Sequence, residues 1–154
     1  MSQGKVFKYE NRLASSLVNQ GGMSASEAVS SAQTAVEEVR EPTITEIDAR
    51  LEEIYALGEK LKDAGPDEEA LKRMYVCANQ VVGMGGVFGL AELGKAAYVL
   101  CELVSRFQTL DRFNWSMIRV HIDGLKLLRN PDAHPPAARE QVLAGLRQVA
   151  ASVI

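Results

Sequence analysis

Ala78-Asn79-Gln80-Val81-Val82-Gly83-Met84-Gly85-Gly86-Val87-Phe88-Gly89-Leu90-Ala91-Glu92-Leu93 is the stretch that decides how this chain is read, because four glycines interrupt an otherwise apolar helical pattern. On its N-terminal side Met74, Cys77, Val81, Met84 and Phe88 step by three and four residues, which places all five on one helix stripe facing a core. After Gly89 the same stepping resumes through Leu90, Leu93, Ala97, Leu100, Val104 and Phe107. Two helices joined at the glycines, a helical hairpin, is the expectation.

Working outward, Gly65-Pro66 closes a preceding helix that carries Ile47, Leu51, Ile54, Gly58 and Leu61 on one face. Asp67-Glu68-Glu69 puts negative charge on the first turn of the glycine-rich helix, where the helix dipole favours it. Thr43 with Glu46 has the form of a capping box, and Pro42 before it predicts the end of an earlier helix. A fourth helix is predicted from about Asn114 to Leu128, with Trp115, Ile118, Ile122 and Leu125 inward. A last one follows Pro135-Pro136, using Val142 or Leu143, Leu146, Val149 and Val153. No segment alternates as a strand does.

The ends are weaker. Residues 1–42 are rich in Ser, Ala, Gln and Gly, with a thin stripe of Val29, Ala32, Val36 and Val39 behind a Ser24/Glu27 capping box, so one helix from about 25 to 40 is expected. The reading is an all-α protein, an antiparallel four-helix bundle over 43–129. Residues 1–42 form an extension, and 130–154 form a connector and a C-terminal helix packed on the core.

At 154 residues and 47% apolar content the chain fits one core, and its 17 bases are interspersed among 20 acids, which leaves no basic footprint for nucleic acid. No run approaches the length needed to cross a bilayer, so neither membrane nor secretion is expected and a cytoplasmic location is. Cys77 and Cys101 lack metal-ligand spacing and a neighbouring base, and read as buried thiols; no metal or cofactor is called for. Met74 and Met84 read as gap-fillers of the core.

On a wheel of the glycine-rich helix, Asn79 points away from the core among Lys72, Tyr75, Val76, Val82, Gly83 and Gly86. Glycine within a helix costs about 1 kcal/mol relative to alanine, so Gly83 and Gly86 on one exposed side imply close approach by something else. Gly85 turns toward the core and fits packing within the protein.

Counted from Asn79, glycines fall four, seven and ten residues on, with Leu90 at eleven, Leu93 at fourteen and Phe88 just before the turn glycine. This spacing resembles the motif of histidine-containing phosphotransfer (HPt) domains over roughly residues 43–129. The resemblance implies the HPt type of four-helix bundle, and a docking face used by a receiver domain or a histidine kinase. In that family a histidine stands at the Asn79 position and carries the phosphoryl group, with a lysine at the position of Val82.

An amide has its nitrogen lone pair delocalised and is no nucleophile near neutral pH, and valine supplies no cation for phosphoryl oxygens. The resemblance therefore implies a silent member of a phosphorelay, not an enzyme, with a contact face of Lys72, Tyr75, Val76, Asn79, Val82, Gly83 and Gly86. Gln80 lies at its edge. Two rival readings are an adaptor or oligomerisation bundle without receiver binding, and a working phosphotransfer protein with a displaced acceptor. His121, followed by Asp123 and Gly124, and His134, in a proline-rich connector, are the histidines for the latter, and neither has the run of small neighbours.

Overall fold

The computed structural model describes residues 22–109, 111 and 113–153, and these contain six α-helices, one short 3-10 helix and no strand. The helices are α1 (Ala25–Glu38), α2 (Arg40–Ala64), α3 (Glu68–Gly85), α4 (Ala91–Thr109), α5 (Trp115–Leu128) and α6 (Pro136–Ala151). The all-helical class read from the sequence is observed. The described residues fall into two compact units that divide between Val39 and Arg40.

In the first unit, α1 starts on the expected capping box. The Ser24 amide donates to Glu27 Oε2 at 2.7 Å, and the Glu27 amide donates to Ser24 Oγ at 3.2 Å. That pair of bonds satisfies donors at the helix start that have no intrahelical acceptor. The helix buries none of its residues, and Val29 and Val36 are exposed.

The second unit opens differently from the expectation. α2 begins at Arg40, and Pro42 sits inside its first turn instead of ending the helix before it. The reason lies in the hydrogen-bond ladder: amides of the first turn have no acceptor within the helix, so a residue lacking N–H is tolerated there. Thr43 is consequently a helical residue and not the cap of a new helix, and the units meet three residues before the expected 42/43 boundary.

Further on, the sequence signals and the structure agree. Gly65 ends α2 at φ +80, a conformation that glycine adopts without steric cost. Asp67 caps α3 by accepting from the amides of Glu69 and Ala70 at 3.0 and 3.3 Å, and Asn114 caps α5 by accepting from Ser116 at 2.9 Å.

Pairings between helices give their directions. Lys60 meets Asp67 and Glu53 meets Arg73, so α2 and α3 are antiparallel. Gly85 lies against Gly94, and the Cys101 thiol donates to the Tyr75 carbonyl at 3.7 Å, so α3 and α4 are antiparallel too. Arg129 makes a two-pronged bond to Asp48 at 2.5 and 3.0 Å, and Ile122 lies over Gly58, which closes α5 antiparallel onto α2. α6 runs parallel to α4, with Arg139 beside Glu92 at one level and Arg106 donating to the Ala150 carbonyl at another. It also packs on α5, where Leu146 fills the space above Gly124.

The core of this unit includes Ile47, Ile54, Leu61, Met74, Val81, Leu93, Leu100, Leu103, Ile118 and Leu125, all without exposure. Cys77 and Cys101 are buried within it as expected. Met84 and Phe88 are only half-buried, because α3 ends at Gly85 and the stripe runs off the helix. On α6 the buried positions are Leu143, Leu146 and Ala150, while Val142 and Val149 on the helix and Val153 just beyond it are half-buried.

Candidate functional site

α3 has two unlike sides, and its glycines separate them. Gly85 belongs to the hairpin seam: a Cβ built there would stand 3.1 Å from the Gly94 nitrogen and 3.1 Å from the Leu90 carbonyl oxygen. The two helices touch backbone to backbone at this point, and Leu90 completes the turn by donating its amide to the Gly85 carbonyl at 3.1 Å. Gly89 makes the turn passable at φ +77. A Cβ built at Gly83 or at Gly86, by contrast, meets nothing within 4 Å.

Around those two glycines the face read from the helical wheel is in place. Lys72, Asn79, Gly83 and Gly86 are exposed, and Tyr75 and Val76 are 40% and 44% exposed despite their apolar surface. Lys72 is held by Glu68 at 2.6 Å one turn earlier, which keeps its charge at the N-terminal edge of the face. The Asn79 amide makes no hydrogen bond among the described residues and presents a donor and an acceptor to solvent. Val82 departs from the expectation. It is half-buried against the core, because it leans toward α4 and forms the boundary between the face and a groove beyond it.

That groove was not visible in the α3 pattern. It has a volume of about 500 Å³ and is lined by Val82 and Gly86 from α3 and its end, by Gly94, Lys95 and Tyr98 from α4, and by Arg147 from α6. Tyr98 is 55% exposed. Tyr98 and Lys95 carry no spacing signal of their own, since the groove exists only once α4 is laid beside α3 and α6 beside α4.

The two histidines differ in placement. His121 has no exposure, and its Nδ1 lies 2.7 Å from the Met117 carbonyl oxygen, so Nδ1 carries the proton of the neutral ring. Its Nε2 is buried with no hydrogen-bond partner. Burial holds the imidazole below its ordinary range, against the opposing pull of the Met117 carbonyl. A partner protein has no access to this ring. His134 is half-buried and follows the 3-10 turn Pro131–Ala133, away from the α3 face in sequence and without glycines beside it.

The thiols offer no reactive site. Burial pushes Cys101 up to about 11, and burial followed by the nearby Glu53 carboxylate raises Cys77. A second cleft of about 390 Å³ between α2 and α5 has Tyr55, Trp115 and Ile122 as walls, but its cations are already matched. Lys62 pairs with Glu59, Arg119 with Asp123, and Lys126 sits 4.7 Å above the Tyr55 ring. Among the described residues no group of three or more His, Cys, Asp or Glu is placed to hold a metal ion, and no helix is long and apolar enough to cross a membrane.

No family model, curated protein or solved structure matches this chain. Its function is therefore argued from the site.

Proposed function

We propose that this protein is a catalytically silent, HPt-like regulator of phosphorelay signalling, which binds a receiver domain or a histidine kinase through the Asn79 face without passing phosphate. The observation that carries the reading is the open space over Gly83 in α3 and Gly86 at its C-cap, while Gly85 between them is consumed by packing. Gly83 within the helix and Gly86 at its C-cap thus give up side chains and leave bare backbone toward solvent, which at Gly83 costs helix stability and at both admits a partner surface to close range. In this reading α2 to α5 form an HPt-type four-helix bundle, and the protein is cytoplasmic like the relays it would regulate.

The chemistry follows from Asn79 and Val82. An exposed amide without partners can donate and accept hydrogen bonds at the centre of an interface, but it cannot take a phosphoryl group near neutral pH. Val82, half-buried at the rim, contributes apolar contact where a cation would serve transfer. The action is occupancy: a receiver or kinase surface covered by this face is withheld from a competent phosphotransfer partner. The buried His121 gives no support to a displaced acceptor.

The test is incubation of the protein with candidate kinases and receivers and labelled ATP, alongside binding measurements on wild type and Gly83→Arg. The expected result is receiver or kinase binding without label on this protein, abolished by the arginine. Label on the wild-type protein sinks the silent reading, and binding indifferent to Gly83→Arg sinks the docking face. The double substitution Asn79→His with Val82→Lys asks for more, since phosphate uptake would show the surrounding surface to be fit for a receiver.

A further inference from the structure

Among the described residues, the lysines and arginines of α2 to α6 nearly all have a carboxylate, an aromatic ring or a backbone carbonyl against them. Lys95 and Arg147 have no such partner among the described residues, and both line the groove beside the Asn79 face. The groove's acid is Glu102, two turns beyond Lys95 on α4 and about 10 Å from it at 1.5 Å of rise per residue. Among the described residues of α2 to α6, the two cations without such a partner therefore share one cleft, with Glu102 as its acid and Val82, Gly86, Gly94 and Tyr98 among its other walls.

The shape selects the class of occupant. The α4 wall runs through Ala91, Gly94, Lys95, Tyr98, Val99 and Glu102, a single stripe about 16 Å long, which is three helical turns. A compact small molecule would leave most of such an open trough wetted, whereas an apolar helix stripe lies along it. Gly86 and Gly94 keep the floor low: a Cβ at Gly86 has nothing within 4 Å, and one at Gly94 has only ordinary contacts from 3.7 Å outward. The charges select the sign, because a basic helix would meet Lys95 and Arg147 unscreened, while carboxylates flanking an apolar stripe would find them unpaired.

We infer that this groove receives an acidic amphipathic helix of a partner protein, its apolar side chains seated over Gly86 and Gly94 between Val82 and Tyr98, and its carboxylates against Lys95 and Arg147. The inference rests on the docking reading above in that the groove shares Val82 and Gly86 with the Asn79 face. It adds a direction and a charge rule: the partner's contact extends across α3 onto α4 and is held by cations that do not lie on the glycine-rich helix.

The experiment titrates two synthetic 14-residue helical peptides into the isotope-labelled full chain and follows amide signals by NMR. Both peptides carry leucine at a helical spacing of three and four, one with glutamates flanking the leucines and the other with lysines. The glutamate peptide is expected to shift the signals of Gly86, Gly94 and Lys95. Its affinity should fall at least tenfold in Lys95→Glu/Arg147→Glu and severalfold between low and moderate salt. Both side chains lie at the groove's rim, so the variant is expected to keep the wild-type spectrum elsewhere.

Equal binding of both peptides, binding of neither, or shifts that depend on protein concentration alone, as a second copy in the groove would produce, each overturn the inference. Gly83→Arg separates this outcome from the one above, because Gly83 does not line the groove. Peptide binding retained in that variant while receivers fail to bind the wild type would remove the receiver reading and leave the groove's specificity standing.

Discussion

Glycine plays opposite parts on the two sides of the second unit. Along the seams, Gly58 lies under Ile122, Gly85 against Gly94 and Gly124 under Leu146, and an added Cβ would come within 2.4 to 3.1 Å of a neighbour at each. On the outer side of α3, Gly83 and Gly86 have empty space above them. The seam glycines let helices approach and are compensated by the contacts they permit. The outer two have no such contact within the protein, a property they share with Gly145 on α6, and in the proposed reading theirs is the space another molecule enters.

The contrast can be broken most forcefully at Gly85. Gly85→Val puts a branched side chain against the backbone of Gly94 and Leu90, which cannot swing aside as a side-chain tip would. A loss of about 3 kcal/mol in chemical denaturation is expected, at the top of the usual range for overpacking. A loss below about 1 kcal/mol would mean that the hairpin gives way easily and that the seam is no tighter than the open face.

A smaller effect, graded by pH, belongs to the seam between α5 and α6. Because burial lowers the affinity of His121 for a proton, the unfolded chain protonates first as pH falls below the ordinary imidazole value of 6.5. The native state then binds fewer protons than the unfolded one. The stability this residue supplies is accordingly full above that pH and lost on acidification, at most about 1.4 kcal/mol per pH unit. Denaturation curves between pH 7 and 5 should show this slope in the wild type and a shallower one in His121→Phe.

The smallest effect has the opposite sign. Gly83→Ala adds a methyl into open space and removes backbone freedom from the unfolded chain, so it should stabilise the protein by about 0.5–1 kcal/mol. Thermal melting of the two proteins side by side decides it. A destabilised Gly83→Ala would show that some part of the protein already covers this face and would erase the distinction between the two sides.

How much of this was legible in the sequence depends on whether one helix or several carry the information. The inward stripe of α3, the cap at Asp67, the left-handed Gly65 and the assignment of Gly85 to the packed side were all readable, because each depends on periodicity or on local backbone chemistry. Pro42 misled for a local reason as well: a proline that ends one helix and a proline in the first turn of the next look alike until the start of the ladder is known. The α4 side of the site was not readable. Lys95 and Tyr98 are ordinary surface residues on a wheel of α4, and they acquire meaning only through Val82 and Gly86 on one flank and Arg147 on the other.

The early start of α2 has one more consequence. Arg40, its first residue, holds its guanidinium 5.7 Å from the centre of the Phe88 ring, and Phe88 follows Gly86 by two positions in the turn that ends the glycine-rich helix. The contact ties the first turn of α2 to the turn that leads from α3 into α4, so the start of one helix and the end of another are held together by one cation and one ring.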